Sequence, residues 1–142
     1  MPKNGLNSII AVGLALTILL GCSFSATTAN ISDLKLGKDE KATQETSSFD
    51  SDDTIYAVAV ISNSPGKMKV KGRLLVDNVT GYDAGPIPGL EDTVELPGSG
   101  TATFTFSPPS NGWPKGTYKI EVTMVNEGGE QKDDETASFT VS

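Results

Sequence analysis

Histidine is absent from all 142 residues, and cysteine occurs once. The first absence removes the most common general base and metal ligand, and with it Ser-His-Asp or Cys-His catalysis and imidazole-based zinc sites. The second forbids an internal disulfide, so a domain built from this chain is held by its apolar core alone. Basic side chains are scarce too. Eleven Lys and Arg stand against 18 Asp and Glu, a formal charge of −7, which argues against nucleic acid as a partner because phosphate binding needs a basic footprint. Aromatics make up only 6% of the chain, and Tyr82 and Trp113 are the only rings plausible for stacking on a ligand. Long apolar runs are also missing, with one exception near the amino terminus.

That exception is Ile9 to Leu20, with Lys3 before it and Gly21-Cys22 after it. It fits the apolar region of a secretory signal and is too short to cross a bilayer of about 30 Å. Leu19-Leu20-Gly21-Cys22 resembles the lipobox of bacterial lipoproteins. The resemblance implies that residues 1–21 are removed as a signal peptide, that the Cys22 thiol receives a diacylglyceryl group, and that the new amino terminus is acylated. An ordinary secretory signal cut after Ala26, with Cys22 incidental, is the alternative. Residues 22–30 then comprise the lipidated cysteine and a small, polar tether, SFSATTAN, that reaches at most about 28 Å. Ser23 after the cysteine, where retention would call for Asp, resembles lipoproteins sent to an outer membrane. The expected place is a bacterial membrane, the outer one where the organism has two, and the membrane is a partner through the anchor.

Residues 31–142 read as one domain made of strands. Ile31 to Leu36 alternates, Gly37 to Ser48 has no apolar period, and Thr54 to Ser62 is β-branched, aromatic and apolar on both faces, as a central strand would be. After the Asn63-Ser64-Pro65-Gly66 turn, Met68, Val70, Gly72, Leu74 and Val76 share one face, and Lys67, Lys69, Lys71 and Arg73 the other. Asn78 to Gly89 is crowded with Gly, Pro and Asp and reads as a connection. Leu90 to Leu96 and Thr101 to Ser107 follow as strands joined by a hairpin at Pro97 to Gly100, then a rigid corner from Pro108 to Gly116. Thr117 to Val125 and a last strand marked by Ala137, Phe139 and Val141 complete about seven strands. The spacing predicts an all-β antiparallel sandwich.

From Phe49 to Val141 the order of signals resembles exported bacterial immunoglobulin-like domains, many of them on lipoproteins. Phe49, Asp53-Thr54-Ile55-Tyr56, Gly66-Lys67, Val70, the run Gly112 to Val122 (GWPKGTYKIEV) and the closing Phe139-Thr140-Val141 carry it. The resemblance implies an immunoglobulin-like sandwich in which Trp113 caps one end of the core and Tyr118 packs inward. It implies no catalytic residue. One departure is Gly72-Arg73, where a bulky aromatic would be expected in mid-strand.

Several short patterns point to chemistry. Ser64-Pro65-Gly66-Lys67 has the letters S-x-x-K, but a Pro-Gly turn replaces the helix that would bring lysine beside serine. Asp50, Asp52 and Asp53 could hold calcium, as could Glu127, Glu130, Asp133, Asp134 and Glu135; neither set has the glycine and bidentate glutamate of an EF-hand loop, and a solvated turn is the alternative. Glu91 and Glu95, with Asp92 opposite, would serve as an acid and base only beside a partner carboxylate at about 5 to 9 Å. Lys67, Lys69, Lys71 and Arg73 form a basic band about 20 Å long on an acidic protein. It is a candidate contact for an acidic partner or lipid headgroup, or else a solvent face or an edge strand guarded by lysine. Tyr82 and Trp113 are candidate carbohydrate contacts, although tryptophan's usual burial favours a core place for Trp113. The expected function is a lipid-anchored binding or structural module of the cell envelope, without catalysis, cofactor or metal, meeting an envelope protein or polysaccharide. A carbohydrate-binding module is the alternative, followed by an enzyme or a calcium-dependent adhesion domain.

Overall fold

The computed structural model describes residues 28–142; Cys22, the segment read as a signal peptide and most of the segment read as a tether lie outside the described residues. Eight strands follow one another: β1 (Asn30–Gly37), β2 (Ser48–Phe49), β3 (Ile55–Ser62), β4 (Met68–Val79), β5 (Gly85–Leu96), β6 (Gly100–Phe106), β7 (Gly116–Asn126) and β8 (Gln131–Val141). Three form one sheet in the order β1-β3-β6, and five the other in the order β2-β8-β7-β4-β5. All pairings are antiparallel except β2 with β8. The chain crosses between sheets after β1, β2, β3, β5 and β6, so neither sheet is a simple meander. This is an immunoglobulin-like β-sandwich. Among the described residues no helix is long and apolar enough to cross a membrane.

Alternation along the strands builds the core. Met68, Val70, Leu74 and Val76 of β4 and Tyr118, Ile120, Val122 and Met124 of β7 are buried on the inner face of the large sheet. Ala57, Ala59 and Ile61 of β3 and Ala102, Phe104 and Phe106 of β6 face them from the small sheet. Phe104 is fully buried, and removing a side chain of this kind from water contributes roughly 1.5–3 kcal/mol. Gly72 explains why β4 has no aromatic in mid-strand. A Cβ added there would lie 2.7 Å from the Phe104 ring. The central aromatic of the core comes instead from the opposite sheet, and glycine makes room for it.

One end of the sandwich is closed by rings. Phe49 meets Phe139 edge-on with centroids 5.3 Å apart, Tyr118 stacks on Phe139 at 5.3 Å, and Trp113 meets Tyr118 edge-on at 6.4 Å. The Tyr118 hydroxyl donates to the Pro114 carbonyl four residues earlier, the tyrosine corner of immunoglobulin-like folds. Burial pushes this phenol above its ordinary pKa.

Some boundaries differ from the sequence reading. β2 is an added strand of two residues, held by the bonds Thr140 N–H to Ser47 O and Ser142 N–H to Phe49 O. β5 begins at Gly85 because Gly85 and Pro86 still pair with Val76 and Leu75 at the sheet edge, where proline's missing donor is tolerated. Ala29 is already buried, so the packed body starts just before residue 31.

Candidate functional site

Two connections at the same end of the sandwich bring Tyr82 and Trp113 to one cleft. After β4 the chain turns sharply: Tyr82 N–H donates to Val79 O at 3.1 Å, and Gly81 takes a φ of 87° that favours glycine. This turn holds the Tyr82 ring out, 61% exposed, the one large hydrophobic side chain in that state among the described residues. Across from it, the β6–β7 corner is anchored by its backbone. Trp113 N–H donates to Ser51 O at 2.7 Å, and the indole N–H donates to Asp53 O at 2.8 Å. Trp113 itself is only 3% exposed. Its ring belongs to the core and forms part of the floor of the cleft.

The cleft has a volume of about 350 Å³, near the lower limit for small-molecule sites. Val76, Val79, Ile87, Leu90 and two prolines, Pro109 and Pro114, supply most of its wall. Asn111 is the one amide side chain on it, and no charged side chain lines it. The only titratable groups there are the Tyr82 and Tyr118 phenols. Tyr118 has already committed its proton to Pro114. Such a lining can hold an uncharged group with an apolar face and orient it through few hydrogen bonds; it has no acid and base pair for group transfer.

The basic stripe takes a different form from a free patch. Lys67 precedes β4, while Lys69, Lys71 and Arg73 point outward from it. β4 lies between β7 and β5, so lysine is not guarding an edge there. Register sets acids beside the bases: Arg73 lies between Glu91 and Glu121, and Lys69 is opposite Glu95. Lys71 Nζ reaches Glu91 at 3.2 Å, and Arg73 Nε reaches Glu121 at 2.7 Å. The band read from β4 alone is a mixed-charge solvent face once its neighbours are in place. Sequence reasoning could not see this, because the pairing acids are 20 and 48 residues away in the chain.

The acidic groups divide between turn and ladder. Carboxylate oxygens of Asp50, Asp52 and Asp53 lie within 4.8 Å of one another, yet Asp53 is engaged. It accepts Asp50 N–H at 2.7 Å and pairs with Lys38 at 3.1 Å. Its carboxyl is held below the usual range, first by the Asp50 N–H, with Lys38 adding to the effect against the opposing cost of burial. Of the three, Asp53 is thus held by the turn, whereas Asp50 and Asp52 are exposed. In the other acidic stretch Asp133 accepts Ile31 N–H at 2.9 Å, and Glu130 pairs with Lys132. Ser64 Oγ donates to Gly66 O at 2.6 Å inside its turn, away from any helix. Cys22 lies outside the described residues.

The sequence matches no known protein family and no curated protein. Solved structures of similar shape do exist. An immunoglobulin-like protein of Pseudomonas aeruginosa is 14% identical over 82% of this chain and 99% of its own, with a TM-score of 0.47. A Niemann-Pick type C2 protein of the Japanese carpenter ant is 14% identical over 81% and 93%, with a TM-score of 0.49. A cycloisomaltooligosaccharide glucanotransferase of Paenibacillus sp., complexed with cycloisomaltoheptaose, is 17% identical over 80% of this chain but 14% of its own, with a TM-score of 0.50. At these identities the likeness is one of fold.

Proposed function

We propose that this chain is a lipid-anchored binding module of a bacterial cell envelope, without catalytic activity, whose ligand-binding surface is the Tyr82 cleft. The ligand class is an uncharged molecule with an apolar ring face, of which an envelope polysaccharide is the leading candidate. One observation carries the reading: the single large exposed hydrophobic ring among the described residues, Tyr82, stands over a cleft whose wall is uncharged and, apart from Asn111, mostly apolar. Ring stacking at such a site contributes about 0.5–1.5 kcal/mol beyond the area buried. The basic stripe is the weaker candidate because Lys71 and Arg73 already face Glu91 and Glu121.

Trp113 is the only tryptophan in the chain and lies in the cleft floor, so its fluorescence reports occupancy directly. The test is a titration of the detergent-solubilised full-length product with neutral oligosaccharides, beside a Tyr82→Ala variant. A saturable change in Trp113 emission, weakened roughly 5- to 10-fold or more in the variant, supports the site. Binding that Tyr82→Ala leaves unchanged, or no binding across the panel, removes it. The anchor is tested apart from the ligand by intact mass and membrane partition beside Cys22→Ala. A product that begins at Cys22 with a diacylglyceryl and an acyl group, and whose variant is released to the soluble fraction, supports the anchor. An unmodified product that begins after Ala26 overturns it and leaves the cleft standing.

A further inference from the structure

Each sheet of a sandwich ends in two edge strands, and three of the four here are blocked against further pairing. β2 is two residues long. β5 carries Pro86, Pro88, Glu91, Asp92 and Glu95, and Gly85 and Gly89 hold positive φ along it. In β1 the register slips between Ile31 and Asp33, and the Ile31 N–H is taken by Asp133. These are the usual protections of an edge: short length, proline, charge and a bulge.

β6 has none of them. Its seven residues, GTATFTF, contain no proline and no charge. They pair with β3 in unbroken register from Ile55↔Phe106 to Ile61↔Gly100. Among the described residues, no backbone group of Thr101 to Phe106 bonds outside that ladder. The side of β6 away from β3 therefore offers a row of unmatched N–H and C=O groups, as every second residue of an edge strand must. Its outer face is Thr101, Thr103 and Thr105, beside Val58 and Val60 of β3. This neutral strip lets a second molecule approach although the chain as a whole is acidic.

We propose that the β6 edge pairs antiparallel with β6 of a second copy about a two-fold axis at Thr103. The sequence is self-complementary in that register. Thr103 opposes Thr103, Thr101 opposes Thr105, Ala102 opposes Phe104, and Gly100 opposes Phe106, so small residues meet large ones on the inner face. The two three-stranded sheets become one of six. A seven-residue edge buries well under the roughly 1,000 Å² of a stable interface, so the pairing is transient in free solution. Confinement of the chain to a membrane raises the effective concentration and the dimer population; this last point rests on the anchor reading, and the register does not.

Cysteine scanning of the full chain in the exporting bacterium reads the register directly, with the wild type as blank. Directly opposed side chains have Cβ atoms about 4.5–5.5 Å apart, close enough for a disulfide with a small shift. Under a mild oxidant Thr103→Cys is expected to give a disulfide dimer, and Thr101→Cys or Thr105→Cys alone none. Thr101→Cys and Thr105→Cys expressed together are expected to cross-link to each other, which tests the same register should Thr103→Cys fold poorly. Adding Thr101→Lys and Thr105→Lys to Thr103→Cys should abolish the dimer while the thiol still reacts with a maleimide. A Thr103→Cys chain that reacts with maleimide but stays monomeric, or a Thr101→Cys chain that cross-links alone to the same extent, overturns the proposal.

Discussion

At the scale of single residues, Gly72 and Tyr118 show how far a local pattern can be read. Tyr118 was legible: a Gly-Trp-Pro-Lys-Gly corner before an alternating strand places an aromatic inward, and its hydroxyl finds the Pro114 carbonyl. Gly72 reads as a defect in an otherwise regular strand, because its partner Phe104 is 32 positions away and belongs to another sheet. The physical test is volume. Gly72→Ala puts a Cβ within 2.8 Å of three Phe104 ring atoms, and overpacking of this kind costs about 1–3 kcal/mol. Urea unfolding should show that loss. Phe104→Leu in the same chain should recover part of it, because two residues in contact do not act additively. Additive losses in the double variant would show that the ring is not what excludes the methyl.

At the scale of elements, the turn between β2 and β3 is more than a solvated acidic stretch. Asp50, Asp52 and Asp53 were legible as a turn, but its docking onto the β6–β7 corner was not, since backbone carbonyls of Ser51 and Asp53 receive the Trp113 donors. Carbonyls leave no trace in a side-chain pattern. Asp53 holds this turn through the Asp50 N–H and the Lys38 ammonium. Its carboxyl is depressed below the ordinary value near 3.9. A group lowered in the folded state contributes stability above its unfolded pKa and loses it as pH falls through the folded pKa. Asp53→Asn is therefore expected to cost about 0.5–1.5 kcal/mol at pH 7, with the difference from wild type shrinking below pH 4. Unfolding curves at pH 7 and pH 3 check this; a gap that stays the same at pH 3 would mean the charge is not the source.

At the scale of the whole molecule, strand identities came from alternation, whereas the division into sheets depends on pairings between distant segments that no local period encodes. The assembled fold then has a direction. Asn30 at the start of β1 pairs with Ser62, and Met68 at the start of β4 pairs with Asn126 and Leu96, so the chain enters β1 at the end where β4 begins. β4 runs from there to Val79, which bridges to Tyr82 at the cleft. Twelve residues in a strand span roughly 40 Å. The six steps from Cys22 to Thr28 reach only about 20 Å. A lipid at Cys22 would thus hold the end near Lys67 beside the bilayer and turn the Tyr82 cleft toward the envelope space. Fluorophores attached to Lys67→Cys and, separately, to Tyr82→Cys, in vesicles carrying a headgroup quencher, measure this directly. Stronger quenching at residue 67 is the expected result, and equal or greater quenching at residue 82 would mean that the module lies flat or inverted, with its cleft against the lipid.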